Sequence, residues 1–410
     1  MEPFLVNFAA DVIRGSSQDR PTDGVLREAL KADKVITKGD RRVISRAVFA
    51  YYRWKGFLPR EAPIEARVEV ALEFAEKFSR NQFLFSAEVL AKKAMPKWVA
   101  AHVEFRPDWL RAIQREPRLW LRARAGTARR LIKTLIDAKS ARIRALPDAV
   151  EYFGNKDLYA RPEFEAGEFE IQDIASQAVS VMCEPKPGET WWDACAGEGG
   201  KTLHLASLMQ NQGLIWASDR APWRLDSLKT RAARAQAFNY RAEVWDGSAR
   251  LPTKAQFDGV LLDAPCTGLG TWHRNPHARW TCKPGDVAEL AAVQSKLLRH
   301  AAPTVKPGGK LIYAVCTITR DETKAICDAF EQAHPEFEPL PLPNPFIEIA
   351  PPSPRWTLWP KDTGGNAMFV TAWRRKSHDD PAADAEPKAA EPVAPTQDEP
   401  PPSPLPDPAP

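Results

Sequence analysis

Apolar residues recur at intervals of three and four through the first eighty positions. In residues 39–54, GDRRVISRAVFAYYRW, the side chains Val43, Ile44, Val48, Tyr51 and Tyr52 gather on one side of a 3.6-residue turn. Residues 1–80 are therefore expected to form a small all-helical domain. From about residue 187 the grammar changes. The apolar runs TWWDAC, LIWASD, AEVWD, FDGVLLD, KLIYAVC and NAMFVTAW alternate with helical stretches. Strand-helix alternation predicts an α/β fold, a doubly wound and mainly parallel sheet with helices on both faces. Ligands bind such sheets at the carboxyl ends of the strands. Several of these runs end in Asp or Cys, which supplies polar groups at that edge.

Composition then divides the chain further. From Ser377 on there are 11 prolines in 34 residues and almost no large apolar side chains, so residues 377–410 are expected to be a disordered, acidic, proline-rich tail. The formal net charge is +4, but it is unevenly spread. Residues 1–150 carry 30 Lys and Arg against 18 Asp and Glu, whereas 377–410 carry 1 against 8. A basic front end suits a polyanionic partner, because clustered cations release counterions from phosphates. The density peaks in residues 106–144, where 12 basic residues face three acidic ones and alternate with Trp109, Leu119, Trp120, Leu121 and Ile132. That mixture predicts an RNA-facing surface with a packed back. No apolar run reaches about 18 residues, and the opening MEPFLVNFAADVIRG lacks the charge pattern of a signal peptide. A soluble, cytoplasmic protein with no membrane contact and no obligate protein partner is expected. The six cysteines form no CxxC pair, so neither a metal site nor a disulfide framework is expected.

The chemistry sits at the strand ends. After the first run comes DACAGEGGKT, residues 193–202, in which Gly197, Gly199 and Gly200 let the backbone approach a ligand and the following helix offers amide donors. Asp219 ends the next run, about 20 residues on, where a carboxylate commonly accepts hydrogen bonds from ribose hydroxyls. Asp246 ends the third run and Asp263 the fourth. A P-loop nucleotide hydrolase competes, since GGKT could close GxxxxGK[ST]. The spacing opposes it, because the first glycine of that pattern would fall on Cys195, and Asp219 would have no role. DAPCTG places Cys266 just past the fourth strand and AVCTI places Cys316 at the end of the fifth, so adjacent strands bring two thiols to one crevice. Cys183, Cys195, Cys282 and Cys327 are read as small core side chains. Two thiols together suit methylation of cytosine carbon 5. A thiolate adds to carbon 6, the resulting enamine takes the methyl group, and a second group helps to release the product. The attacking thiol needs its pKa lowered from about 8.5.

QDIASQAV (residues 172–179), DACAGEGGKT, DAPCTG with RNPHARW behind it, and AVCTI resemble, in order and spacing, the RsmB and nucleolar Sun-type family of RNA cytosine-5 methyltransferases. The likeness covers roughly 105–375. It implies a class I, Rossmann-like methyltransferase domain over 161–376 and S-adenosylmethionine as cofactor. It also implies a helical, NusB-like RNA-binding domain over 1–80, then linker helices and a small ferredoxin-like α+β RNA-binding subdomain over 81–160. By that resemblance the loop Cys195, Ala196, Gly197, Glu198, Gly199, Gly200 and Lys201 holds the methionine part of the cofactor. Asp219 takes the ribose, Asp246 the adenine side, and Asp263 lies between cofactor amine and cytosine. Cys316 matches the nucleophile and Cys266 the cysteine that assists release. Glu198 stands where the family usually has Pro, and Val315 where Thr commonly precedes the nucleophile. The implied substrate is RNA, ribosomal before transfer RNA. A non-catalytic RNA-binding relative is disfavoured by the presence of both cysteines and all three acids. Methylation of an exocyclic amine is disfavoured because Asp-Ala-Pro-Cys replaces the D/N-P-P-Y/F motif such enzymes present.

Overall fold

The computed structural model describes residues 1–377; the tail expected to be disordered lies, from His378 on, outside the described residues. The chain opens with helices Pro3–Arg14, Thr22–Ala32, Lys38–Trp54 and Ile64–Arg80. The third starts at a capping box, in which the Thr37 hydroxyl accepts from the Asp40 amide and the Asp40 carboxylate accepts from the Thr37 amide. Ile44, Val48, Tyr51 and Tyr52 point into the core of this bundle. Val43 does not: it is 39% exposed, because the 100° step from Ile44 turns it out of the buried stripe.

Two further helices, Ala87–Lys93 and Pro107–Ala112, lead into a four-stranded antiparallel sheet. Its strands are β1 (Leu119–Ala123), β2 (Ala138–Ser140), β3 (Ala149–Tyr152) and β4 (Phe169–Ile171), in the order β2-β3-β1-β4. With helix Ala128–Leu135 after β1 and the short helix Pro162–Glu165 before β4, this is a ferredoxin-like arrangement. The sheet runs past the boundary expected at residue 160. Ile171 pairs with Leu121, and a three-residue strand is too short to show a period in sequence. Trp120 and Leu121 are buried, as is Arg122, so one side of the basic stretch packs rather than facing out.

The larger sheet contains β5 (Thr190–Asp193), β6 (Leu214–Asp219), β7 (Tyr240–Val244), β8 (Phe257–Asp263), β9 (Val305–Val315), β10 (Phe337–Pro339), β11 (Arg355–Leu358) and β12 (Met368–Arg375). Its order is β10-β12-β9-β8-β5-β6-β7, with β11 added to β12. Strands β5 to β9 pair in parallel, and β12 runs antiparallel to β9. Successive side chains feed two cores. Trp191, Leu261 and Ile312 pack toward helices Ile174–Met182, Gly200–Leu208 and Pro222–Ala235, whereas Trp192, Leu262 and Tyr313 pack toward Pro284–Ala301 and Lys324–Ala333. Both faces are covered, which is why the strands read as unbroken apolar runs. This is the Rossmann-like methyltransferase sheet that the motifs implied. The third run is displaced, since β7 stops at Val244 and Trp245 turns in to meet Trp192 at a ring separation of 4.8 Å. No helix among the described residues is long and apolar enough to cross a membrane.

The helical front is tied to this sheet by Arg279, in the short helix Ala278–Thr281. Arg279 is fully buried and donates to the carbonyls of Arg53 (3.3 Å), Ala94 (3.0 Å) and Ile113 (2.9 Å) and to Gln114 Oε1 (2.7 Å). Those three carbonyls lie at the C-terminal ends of three helices, where unpaired carbonyls and the helix dipole favour a cation. Burial, with Arg53 nearby, lowers its pKa to about 9, so it remains charged at neutral pH. Arg279→Ala should destabilise the chain by about 3 kcal/mol or more, since it strands buried acceptors from three helices. Arg279→Lys should recover part of that loss. Urea unfolding of the two variants against wild type measures both.

Candidate active site

Strand β5 ends at Asp193 and the chain turns through a loop whose geometry only glycine permits. Gly199 has φ +86°, and a Cβ there would fall 2.6 Å from Leu228. Gly197 also has positive φ, and the space a Cβ would enter there is open. Glu198, between them, is exposed, so it leaves the turn unobstructed; its carbonyl accepts from Arg231 at 2.9 Å. Cys195 and Ala196 pack beneath the loop, each against one of the two cores.

Asp219, at the end of β6, is buried, and both its oxygens take backbone amides: Gly197 N at 3.0 Å and Ala221 N at 2.9 Å. It therefore clamps the glycine loop to the neighbouring turn, in addition to any ligand it serves. Asp246 lies beyond the end of β7, is exposed, and accepts from Ser248 N at 2.9 Å. Asp263, ending β8, pairs with buried Lys201 at 2.5 Å. Burial works against the charge on Lys201, but the adjacent Asp263 carboxylate outweighs it and raises the pKa. Loop and acids are thus brought to one edge of the sheet.

The two cysteines meet there. Cys266 Sγ lies 3.4 Å from Cys316 Sγ, although fifty residues separate them. The Cys266 pKa is pushed well above the ordinary thiol range, first by its hydrogen bond to Cys316 and then by burial. Cys266 is thus held protonated beside its partner. Gly270, whose amide donates to the Cys316 carbonyl at 3.0 Å, could not be any larger residue, since a Cβ would sit 2.8 Å from that oxygen. Val315 is fully buried inside β9 and paired with Phe369, so a hydroxyl at that position would have met only core. Cys183 and Cys327 are buried, matching their reading as core side chains.

Sequence reasoning gave no role to three site residues. Asp193 is completely buried; one oxygen takes the Thr202 hydroxyl at 2.6 Å and Oδ1 has no hydrogen-bond partner among the described residues. Asp173 caps helix Ile174–Met182 through Ala175 N and faces Arg274 at 3.7 Å. Glu322 is buried between the two cysteine loops. All three lie in or beside quoted motifs, yet nothing in composition marks a polar residue as buried. A cavity of about 830 Å³ lies apart from the thiols. Its lining mixes Arg115, Arg118, Lys139, Arg142 and His273 with Glu116, Glu151 and Asp362, and includes Gly365, which packs against Asp173.

Residues 180–374 match the family model described as 16S rRNA methyltransferase RsmB/F. The chain is similar to the probable ribosomal RNA small subunit methyltransferase B of Bacillus subtilis, 39% identical over 219 residues that make up 52% of this chain and 49% of that protein. It spans about half the length of the curated relatives it matches. Among solved structures it is similar to PH0851, at 25% identity and TM-score 0.76, with 92% of this chain and 99% of that one covered. It also shares its fold with NSun6 from Pyrococcus horikoshii, solved with SFG, at 19% identity and TM-score 0.57 over 65% of this chain and 93% of that one.

Burial raises the Asp193 pKa to about 7, with the nearby Asp263 adding to the shift and the Thr202 hydroxyl opposing it. In the unfolded chain an Asp titrates near 4. The folded pKa is the higher one, so the contribution of protonated Asp193 is complete below pH ~4 and is lost as pH rises toward 7. Asp193→Asn should therefore gain on wild type over that window, by about 1.4 kcal/mol per pH unit at most. Thermal melts of both proteins between pH 4 and 8 test this; a stability difference that does not change with pH would count against it.

Proposed function

We propose, for a chain that belongs to the RsmB/F family of methyltransferases through residues 180–374, that it methylates carbon 5 of a cytosine in RNA, by way of a covalent adduct to Cys316. The observation that carries this reading is the 3.4 Å approach of two thiols beside a glycine loop and a row of acids. The residues fit S-adenosylmethionine: the loop is open above Gly197, Asp219 stands at the adjoining strand end, and helix Gly200–Leu208 points its amides at the same space. Residues 195–201 would hold the methionine part, Asp219 the ribose and Asp246 the adenine side. When bound, the cofactor supplies an electrophilic methyl group.

Cys316, as thiolate, forms a bond from sulfur to carbon 6, and the ring electron pair moves to carbon 5, which takes the methyl. Asp263, fixed by Lys201, lies at the strand end next to the thiols and orients the base. In release the carbon 5 proton is lost to solvent, its electron pair restores the ring double bond, and the bonding pair returns to the Cys316 sulfur. Cys266 presents its retained proton to that sulfur, which makes Cys316 a better leaving group. Ribosomal RNA is the preferred substrate, in keeping with the description of the matching family; bisulfite mapping of RNA with and without the protein distinguishes it from transfer RNA.

The two cysteines should fail differently. Cys316→Ala should abolish methyl transfer while RNA still binds. Cys266→Ala should stall as an adduct, seen on a denaturing gel with labelled RNA as a slow band that resists heat and detergent and is absent from the double variant. An adduct on Cys316→Ala instead would exchange the roles. Full activity in both would return both thiols to packing.

Asp219→Ala should weaken S-adenosylmethionine binding about tenfold or more by calorimetry, since a charge-assisted interaction worth roughly 1.5–3 kcal/mol is lost. Unchanged affinity would remove Asp219 from the cofactor site.

A further inference from the structure

Glu322 lies in the loop between β9 and helix Lys324–Ala333 and has no exposed surface. No Lys, Arg or His pairs with it among the described residues. Its carboxylate accepts instead from neutral donors: Thr267 N at 2.8 Å, the Thr267 hydroxyl at 2.5 Å, the Thr317 hydroxyl at 3.3 Å, the Thr319 hydroxyl at 2.8 Å and Gln294 Nε2 at 3.1 Å. Thr267 follows Cys266 and Thr317 follows Cys316, and their hydroxyls are themselves 2.9 Å apart. The carboxylate thus joins the two loops at the residue next to each thiol. A buried ion is costly unless fully hydrogen-bonded, and a glutamine of the same size would fill the space without that cost. In an amide, however, one of the two acceptors becomes a donor: with its oxygen at the Oε2 position, where the three threonine hydroxyls converge, its NH2 would face Thr267 N and Gln294 Nε2, donor against donor.

We propose that Glu322 is a positioning residue that sets the distance between the Cys266 and Cys316 sulfurs by bridging Thr267 and Thr317; its catalytic consequence rests on the two-thiol reading above. The negative charge also favours the protonated form of Cys266, which lies within its field. Neither effect requires Glu322 to touch substrate.

The test uses the full chain with Glu322→Gln, and with Thr267→Val and Thr317→Val in case the first variant does not fold. Equilibration with oxidised and reduced glutathione measures how readily Cys266 and Cys316 close a disulfide, the glutathione disulfide being reduced to two thiols as the protein pair is oxidised. This reports sulfur proximity without RNA or cofactor. The effective concentration of the pair should fall about tenfold or more in Glu322→Gln and in each Val variant, and Thr267→Ser and Thr317→Ser should restore it. Methyl transfer to RNA should show kcat reduced on the order of 100-fold, as for a displacement of about 1 Å, with KM for RNA and S-adenosylmethionine within about twofold. Unchanged sulfur pairing in a folded Glu322→Gln or in both Val variants overturns the proposal. So does a lower melting temperature with wild-type pairing and kcat, which would make Glu322 structural only. If pairing falls but wild type methylates no RNA, the positioning role stands and the methyltransferase reading fails.

Discussion

A cation with no acidic partner among the described residues ties the helical front of the chain to the sheet that carries the site. Arg279 is surrounded by the carbonyl ends of three helices from the front of the chain, yet it belongs to the segment that follows the Cys266 loop. Its charge is compensated by dipoles rather than by a carboxylate, so its partners are fixed by the whole fold and not by one side chain. The same segment reaches the site, where Arg274 faces Asp173 and the His273 carbonyl accepts from Arg53 at 3.1 Å. The helical front is therefore part of the wall around the chemistry, packed against it through Trp280 as well.

The two periodicities explain what was legible in the sequence. All six apolar runs are strands of one sheet; the doubly covered ones leave an unbroken pattern while β7, at the sheet edge, is largely exposed, and the acids and cysteines at their ends reach one edge because parallel strands end together. The short strands β2, β4, β10 and β11 had no such signal. The charge excess of the front end was read as surface, but Arg53 and Arg122 are buried and serve the interior. Likewise Asp193, Glu322 and Arg279 stand in plain view within or near quoted motifs. Their importance comes from burial, and burial of a polar residue is decided by partners distant in sequence, such as Thr267 for Glu322 and Ala94 for Arg279.

The site combines ionisable groups treated in opposite ways. Lys201 and Asp263 neutralise each other; Asp219 is satisfied by backbone amides; Glu322 by hydroxyls and amides; Asp193 is left half unpaired. Burial drives Asp193 toward its neutral form. Charge at this edge is thus set by desolvation at Asp193 and by pairwise attraction at Lys201.

The small sheet is coupled to the site at several points. Glu170 in β4 binds Arg231 at 2.8 Å, and Arg231 in turn holds the glycine loop at Glu198; Gln172 N donates to Trp120 O, and the Trp120 indole donates to Gly364 O at 3.0 Å. These contacts fix the small sheet against the site. Under the proposed chemistry a paired cytosine would have to be swung out of its stack to reach Cys316, and a base already unpaired or bulged would spare that energy. Selectivity for the site of modification then resides partly in the local melting of the RNA, a quantity the protein reads without a sequence-specific contact.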